Sequence, residues 1–134
     1  MKIQKSMSWE ENGKNMIVEV TRGYEIWDDI IDLDGDIGTL GKKVHEKLEV
    51  ILKIDGEIIV RRSHAPFLVT RQNTLDYQQV TTNGGYARLG GTFISKNAYT
   101  IIMATIGAVE TETKIKKATD REYQKVKVVN LRNN

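Results

Sequence analysis

The glycine-rich stretch at residues 83–91 contains the residue types best suited to binding a ligand. Its glycines leave backbone N–H groups open to an anion, Arg88 can bind a phosphate through two parallel hydrogen bonds, and Tyr86 can stack on a base or ribose. After Thr92, Phe93 and Ile94 a helix is predicted to begin, and its dipole favours negative charge. Two further arginines would add positive charge if the fold brings them near. The candidate ligand- or partner-binding residues are Tyr86, Arg88, Gly84, Gly85, Gly90, Gly91, Arg61 and Arg62. A connection with tight turns, in which the tyrosine packs inward, is the alternative.

Charged residues are unevenly distributed, although the formal net charge is only +2. Segment 24–42 has six acidic residues and one lysine, whereas segment 111–134 has seven basic residues and three acidic ones. Two solvated surfaces are the simpler interpretation, and surfaces that bind different partners are the alternative. The candidate acidic surface comprises Asp28, Asp29, Asp32, Asp34 and Asp36. The candidate basic tail comprises Lys114, Lys116, Lys117, Arg121, Lys125 and Lys127.

No residue pattern indicates an enzyme or a metal centre. The absence of cysteine excludes disulfides, thiolate catalysis and cysteine-ligated metals, and it suits a reducing compartment. The acidic run 32–36 fails as a calcium loop, because Ile37 stands where glycine is required and Lys43 where the bidentate glutamate is required. His45 and His64 lie far apart in strand-like positions, and no serine-elbow, H-E-x-x-H or phosphate-loop pattern occurs. We therefore expect a non-catalytic protein without a metal or cofactor.

Two hairpins are predicted by their turn residues. Asn12-Gly13 forms a type I′ turn, because both positions of that turn need positive φ, and pairing outward from it places Trp9 opposite Met16. One face of this hairpin is then apolar and the other mostly polar, as a half-buried sheet requires.

A second turn is predicted at Asp55-Gly56, between two strands with largely alternating side chains. The simplest register for these strands places Leu52 opposite Ile59. Between the hairpins, the chain is expected to extend the second strand and then to turn over residues 34–38.

The C-terminal half predicts a helix. Residues 64–91 are irregular, with a short helix or strand at 74–80. Ser95 is a suitable N-cap for an amphipathic helix of about four turns. Residues 119–122 have the form of a capping box and predict a second short helix, whereas alternation at 125–128 favours a strand.

These elements predict an α+β fold in which an antiparallel β-meander of about four strands packs against a C-terminal helix. We expect residues 1–113 to form the domain, and residues 114–134 to be a basic C-terminal tail or short helix of the same domain. No apolar segment is long enough to span a membrane and no signal-peptide pattern is present, so we expect a cytoplasmic protein.

Two stretches resemble uncharacterised small accessory proteins of Gram-positive phages and integrative elements. Residues 9–20, WEENGKNMIVEV, are similar to the opening of those proteins, and residues 86–91, 94–95 and 99–103 are similar to their strand-to-helix portion. The resemblance implies a mobile-element protein that acts in the host cytoplasm, and it implies no particular reaction.

From these observations we expect a non-enzymatic, anti-defence inhibitor of the anti-CRISPR kind that acts by binding a host protein. One alternative is a sponge that sequesters a small nucleotide immune signal at the glycine-rich stretch. Another is a nucleic-acid-binding accessory protein that uses the basic tail, in which case its affinity must fall steeply with salt. An exposed strand edge would also permit a homo-oligomer, without fixing its stoichiometry.

Overall fold

An antiparallel meander forms the larger sheet in the computed structural model, which describes residues 1–34, 37–64, 75–78, 86–89 and 92–126. Its strands, in spatial order, are β1 (Lys2–Glu11), β2 (Lys14–Asp34), β3 (Ile37–Ile54) and β4 (Glu57–His64). A second sheet consists of β5 (Leu75–Gln78), β6 (Tyr86–Leu89) and β7 (Thr92–Ile94). Helix α1 (Lys96–Thr119) and a short helix α2 at residues 121–126 follow. The predicted α+β fold, a four-stranded meander packed against a C-terminal helix, is confirmed.

The first hairpin has the predicted turn and register. Asn12 and Gly13 have φ values of 52° and 75°, and Trp9 pairs with Met16. Met16 is buried, and the residues that alternate with it along β2 face the same side of the sheet. A two-residue turn therefore determined the pairing of the whole strand.

The second hairpin has the predicted turn, but its register differs from the prediction by one residue. Asp55 and Gly56 have positive φ, as expected. A β-bulge interrupts the pairing of β3 with β4, so Leu52 lies opposite Val60 and Ile59 has no residue opposite it. The prediction that Leu52 faces Ile59 is therefore wrong, because a bulge adds one residue to one strand.

Strands β2 and β3 extend well beyond the rest of the sheet. Among the described residues, strand β1 pairs with β2 as far as Gly23 and β4 pairs with β3 as far as Leu48, and neither continues further. Residues 24–34 and 37–47 consequently form a two-stranded ribbon, which we call the arm. At about 3.3 Å per residue it is roughly 35 Å long. The expected extension of the second strand is thus observed. The predicted turn over residues 34–38 is too long, because Asp34, Ile37 and Gly38 are paired strand residues, and its centre at residues 35–36 lies outside the described residues.

Helix α1 covers one face of the meander. Its N-cap is Ser95, as predicted, whose Oγ accepts a hydrogen bond from the N–H of Ala98 at 3.0 Å. The helix has 24 residues, which is longer than the expected four turns, since Gly107 does not end it. The core joins the helix to both sheets and consists of Ile3, Met16, Val18, Val20, Leu48, Val50, Leu52, Leu89, Ile94, Ala98, Ile102, Ile106 and Val109.

The predicted second short helix follows α1 after the single residue Asp120. Asp120 ends α1 and caps α2, because its Oδ1 accepts hydrogen bonds from the N–H groups of Glu122 at 3.0 Å and Tyr123 at 3.3 Å. The cap is therefore one residue later than the sequence pattern suggested. Lys125 and Val126 are helical, which excludes the strand alternative for these two residues.

Candidate functional site

The arm exposes an apolar pair on the face that continues the helix-covered side of the sheet. Ile30 lies opposite Leu40, and their exposed fractions are 46% and 70%. Two residues nearer the base on each strand, Asp28 and Lys42 form an ion pair with 3.3 Å between Oδ1 and Nζ. Apolar side chains are thus held next to charged ones on a projecting ribbon, an arrangement found at protein–protein contacts.

The outer part of the arm is acidic. Of the predicted acidic surface, Asp28, Asp29, Asp32 and Asp34 all belong to β2 within the arm, and Asp36 lies outside the described residues. Lys42 is the one basic residue within 28–34 and 37–42, so the formal charge of this part is four negative against one positive. Four of the five residues of the predicted acidic surface therefore lie on one strand of the arm.

The base of the arm is attached to the end of α1 by a buried polar cluster. The Glu46 carboxylate on β3 accepts a hydrogen bond from Arg22 Nη2 at 3.2 Å and another from Lys117 Nζ. The side chains of Arg22, Glu46 and Lys117 are only 12%, 25% and 18% exposed. Arg22 Nε and Nη1 make no hydrogen bond with any described residue. Lys117, which the sequence placed in a basic tail, is therefore a structural cation.

Tyr24 makes a second attachment beside this cluster. Its O–H donates to Asp120 Oδ2 at 2.6 Å, and its ring packs against Tyr123 with 5.2 Å between the ring centroids. Lys117 Nζ lies 5.2 Å from the centroid of the Tyr123 ring. Burial, followed by the neighbouring Asp120 carboxylate, raises the pKa of Tyr24 above its usual range. The same hydrogen bond from Tyr24 lowers the pKa of Asp120, helped by the cap N–H groups.

The other face of the sheet, which we call the outer face, has an aromatic stack at the base of the arm. The rings of Trp27 and His45 are parallel within 2°, with 3.5 Å between their centroids. His45 Nε2 lies 3.4 Å from Asp29 Oδ2, yet it makes no hydrogen bond with any described residue. A cavity of about 490 Å³ lies beside the stack, with Gly23 among its lining residues.

The predicted ligand-binding residues are distributed over both sheets. Arg61 and Arg62 are exposed neighbours on β4, so their side chains lie on opposite faces of the meander. Tyr86 and Arg88 belong to β6, where Arg88 pairs with Asp76 of β5 and Phe93 of β7. The four candidate glycines lie outside the described residues. Binding at Tyr86 and Arg88 stays a prediction.

The predicted basic residues lie mainly on the two helices. Within the described part of the chain, Lys114, Lys116, Arg121 and Lys125 are exposed on α1 and α2, whereas Lys127 lies outside it. Among the residues that the structure describes, no group of three histidine, aspartate or glutamate side chains could hold a metal ion. Neither described helix is long and apolar enough to cross a membrane.

Two features of this region were missed by the sequence analysis. The first is the stack of Trp27 on His45. It depends on the register of β2 and β3, in which Glu25 lies opposite His45 and Trp27 is two residues further along β2. The sequence does contain a signal for this register, because pairing outward from a turn at residues 34–38 gives approximately the observed partners. The contact of Glu46 with Lys117 had no such signal, since the two residues are 71 positions apart.

The chain matches no protein-family model, no curated protein and no solved structure. The resemblance to phage accessory proteins therefore stays a prediction.

Proposed function

We propose that this chain is a non-catalytic binding protein that uses the arm to occupy a partner protein. The observation that supports this proposal most directly is the exposure of Ile30 and Leu40, which lie opposite one another on the arm. A two-stranded ribbon alone is marginally stable in water, and its outer edges leave backbone hydrogen-bonding groups free. Docking into a groove would bury the apolar pair and satisfy those groups. A binding role thus explains the exposed pair of Ile30 and Leu40, which the stability of the fold does not require.

The charge of the arm favours a partner with a basic groove. In the outer part of the arm, residues 28–34 and 37–42, four aspartates against one lysine repel nucleic acid but attract a surface built to bind it. Proteins that handle DNA or RNA have such grooves, because they must neutralise phosphates. We therefore propose that the arm occupies the nucleic-acid groove of a host enzyme, which would make the protein an anti-defence inhibitor of a mobile element.

A matched pair of surface variants tests this proposal. The double variant Ile30→Ser/Leu40→Ser removes the apolar pair, while Ile115→Ser removes an exposed isoleucine from α1. Given the exposed fractions of the pair, burial in a groove is worth about 2–3 kcal/mol, which is a 30- to 150-fold change in Kd. The tagged full chain should capture a basic-grooved protein stoichiometrically from a bacterial host with nuclease defence systems. It should also inhibit that protein once both are purified.

The expected result is that Ile115→Ser keeps capture and inhibition while the double variant loses both. Inhibition should also weaken as salt rises, because the attraction is partly electrostatic. Capture that depends instead on Lys114 and Lys116 would move the binding surface to the basic helices and overturn the role of the arm. A second copy of this chain as the sole stoichiometric partner would show self-association and overturn the inhibitor proposal.

A further inference from the structure

The outer edge of β1 offers backbone hydrogen-bonding groups to another strand. β1 is the edge strand of the meander, and its pairing with β2 is unbroken from Lys2 to Glu11. Met1 N donates to Tyr24 O at 2.9 Å and Met1 O accepts from Tyr24 N–H at 3.1 Å, so these two residues form a hydrogen-bonded pair. Because such pairs alternate along an antiparallel ladder, the odd-numbered residues of β1 bond to β2. The outward N–H and C=O groups therefore belong to Lys2, Gln4, Ser6, Ser8 and Glu10.

This edge lacks the features that usually prevent another strand from pairing. Bulges, prolines and unpaired lysines in the middle of an edge strand serve that purpose. β1 has no proline and no bulge, and Lys5 is bound by Glu112 of α1 with 2.7 Å between Nζ and Oε1. The five outward residues are all exposed. Lys2 and Glu10, at the two ends of the edge, form no ion pair with any residue that the structure describes.

The charges at the two ends of the edge favour a second copy of β1 as the pairing strand. Antiparallel pairing about a two-fold axis at Ser6 places Lys2 opposite the partner's Glu10, and symmetry repeats this pair at the other end. Opposite charges that face each other across two strands stabilise the pairing. An axis at Met7 instead leaves Lys2 beyond the end of the partner's strand, and an axis at Lys5 places two lysines opposite each other.

Helix α1 has an exposed, mostly apolar stripe on the side that faces this edge. The stripe has the alternating spacing of three and four residues that is typical of a helix–helix contact. It consists of Ile101, Ala104, Ala108, Thr111 and Ile115. All but Ile101 are exposed, and Ile115 is 60% exposed. Glu112, four residues after Ala108 on the same side of the helix, contacts Lys5 of β1, whereas Lys117 contacts Glu46 of β3 on the other side.

The middle of this stripe lies about level with the axis on β1. The N-cap hydroxyl of α1 donates to Glu11 at 2.9 Å, and Glu112 pairs with Lys5 further along the helix. Helix α1 and β1 therefore run side by side in opposite directions. At about 1.5 Å per helical residue and 3.3 Å per strand residue, these two contacts place Ala108 within about one helical turn of the level of Ser6.

We propose that two copies of this chain form a dimer through the edge of β1 and the stripe on α1. One two-fold axis then passes beside Ser6 and Ala108, and it brings Ile101 beside the partner's Ile115. Met7, which is 52% exposed, lies next to the axis, where the second copy covers it.

The spacing of the two helices fits this arrangement. Helix α1 packs against both β1 and β2, and neighbouring strands are about 4.8 Å apart. The two helices are then about 10 Å apart, which is a normal distance for packed helices. The inference does not rest on the proposed role of the arm, because the residues of the arm follow Gly23, where the pairing of β1 with β2 ends.

Introduced cysteines test the position of the axis, since the chain has no cysteine of its own. Ser6→Cys places two thiols opposite each other, with about 5.5 Å between the Cα atoms, a separation that a disulfide spans. Ser8→Cys is the matched control, because Ser8 then lies opposite the partner's Gln4 and about 13 Å from the partner's Ser8. We expect mild oxidation of the full chain to convert most of Ser6→Cys, but little of Ser8→Cys, into a covalent dimer on a non-reducing gel.

Sedimentation of the full chain measures the dimer itself, whose mass should be twice the 15.2 kDa of the chain. Lys2→Glu and Glu10→Lys should each weaken dimerisation about 10- to 30-fold, because both symmetric pairs become repulsive. The double variant Lys2→Glu/Glu10→Lys should restore it. Ala108→Arg should give a monomer, whereas Ala118→Arg, which places the same charge on an exposed position outside the stripe, should not.

Three outcomes would overturn the inference. The first is a monomer at submillimolar concentration, and the second is equal cross-linking of Ser6→Cys and Ser8→Cys. The third is that the double charge variant dimerises no better than the single variants. Urea unfolding of each variant separates loss of the interface from loss of the fold. Ile30→Ser/Leu40→Ser should keep the dimer, whereas Ile115→Ser should weaken it and keep capture of the host protein, so failure of this inference and failure of the proposed function are distinguishable.

Discussion

Removing the carboxylate of Glu46 should lower the free energy of unfolding by about 3 kcal/mol. The variant Glu46→Ala leaves Arg22 and Lys117, two largely buried cations, without their counter-charge. Breaking a buried ion pair by deleting one partner typically costs about 3–5 kcal/mol. We take the lower end because the carboxylate keeps a quarter of its exposure. Arg22 would also lose the one hydrogen bond that its guanidinium makes with described side chains.

Urea unfolding at neutral pH measures this loss. With an m-value of about 1.5–3 kcal/mol per molar urea, the midpoint should fall by about 1–2 M. The matched control is Asp28→Ala, which removes one partner of an ion pair whose side chains are 64% and 59% exposed. That change should cost less than about 1 kcal/mol.

A loss below about 1 kcal/mol for Glu46→Ala, or one no larger than the loss for Asp28→Ala, would refute the reasoning. A triple variant checks the cause. Replacing the cluster by Arg22→Met, Glu46→Leu and Lys117→Met removes all three charges together, so stability should return to within about 1 kcal/mol of the unchanged chain. If the triple variant were as unstable as Glu46→Ala, unpaired charge would not be the cause.

Two further predictions concern the ends of α1. The folded-state pKa of Asp120 is lowered, so its bond to Tyr24 contributes stability that is present above about pH 4 and is lost as pH falls through the folded pKa. Tyr24→Phe should therefore lower the free energy of unfolding at pH 7. The difference in this free energy from the unchanged chain, measured by urea unfolding, should shrink below pH 3.8. A difference that stays constant with pH would contradict this. Ser95→Ala should cost about 1 kcal/mol by removing the N-cap, a fall of about 3–5 °C in Tm, and Ser95→Thr should restore most of it. Equal Tm values for both variants would contradict the capping role.

The predictions that are confirmed concern elements whose structure is determined by neighbouring residues. Asn12 and Gly13 adopt the positive φ values that their turn requires, and the pairing of β1 with β2 follows from that turn. Ser95 begins α1 for the same local reason. The register of β4 was wrong because Ile58 and Ile59 are both apolar, so alternation does not show which of them belongs to the bulge.

The candidate site was harder to predict because it depends on distant contacts. The acidic residues were recognised, but not that they lie on a projecting arm, since this depends on where β1 and β4 stop pairing. Lys117 was assigned to a basic surface, whereas it pairs with Glu46 across 71 positions. The cavity is lined by residues of three neighbouring strands, which a single sequence brings together only once the registers are known.

The order of the core residues along the chain also determines how the chain can fold during synthesis. The apolar face of the meander comes from residues up to Leu52, whereas Leu89 and the α1 residues that cover it come later in the chain. At about 5–20 residues per second, a ribosome needs several seconds to add this cover. During that time the nascent sheet exposes Val18, Val20 and Val50 to solvent, which makes it the stage most prone to aggregation. Chains that stop before α1 should therefore depend on chaperones, although their hairpins are already complete.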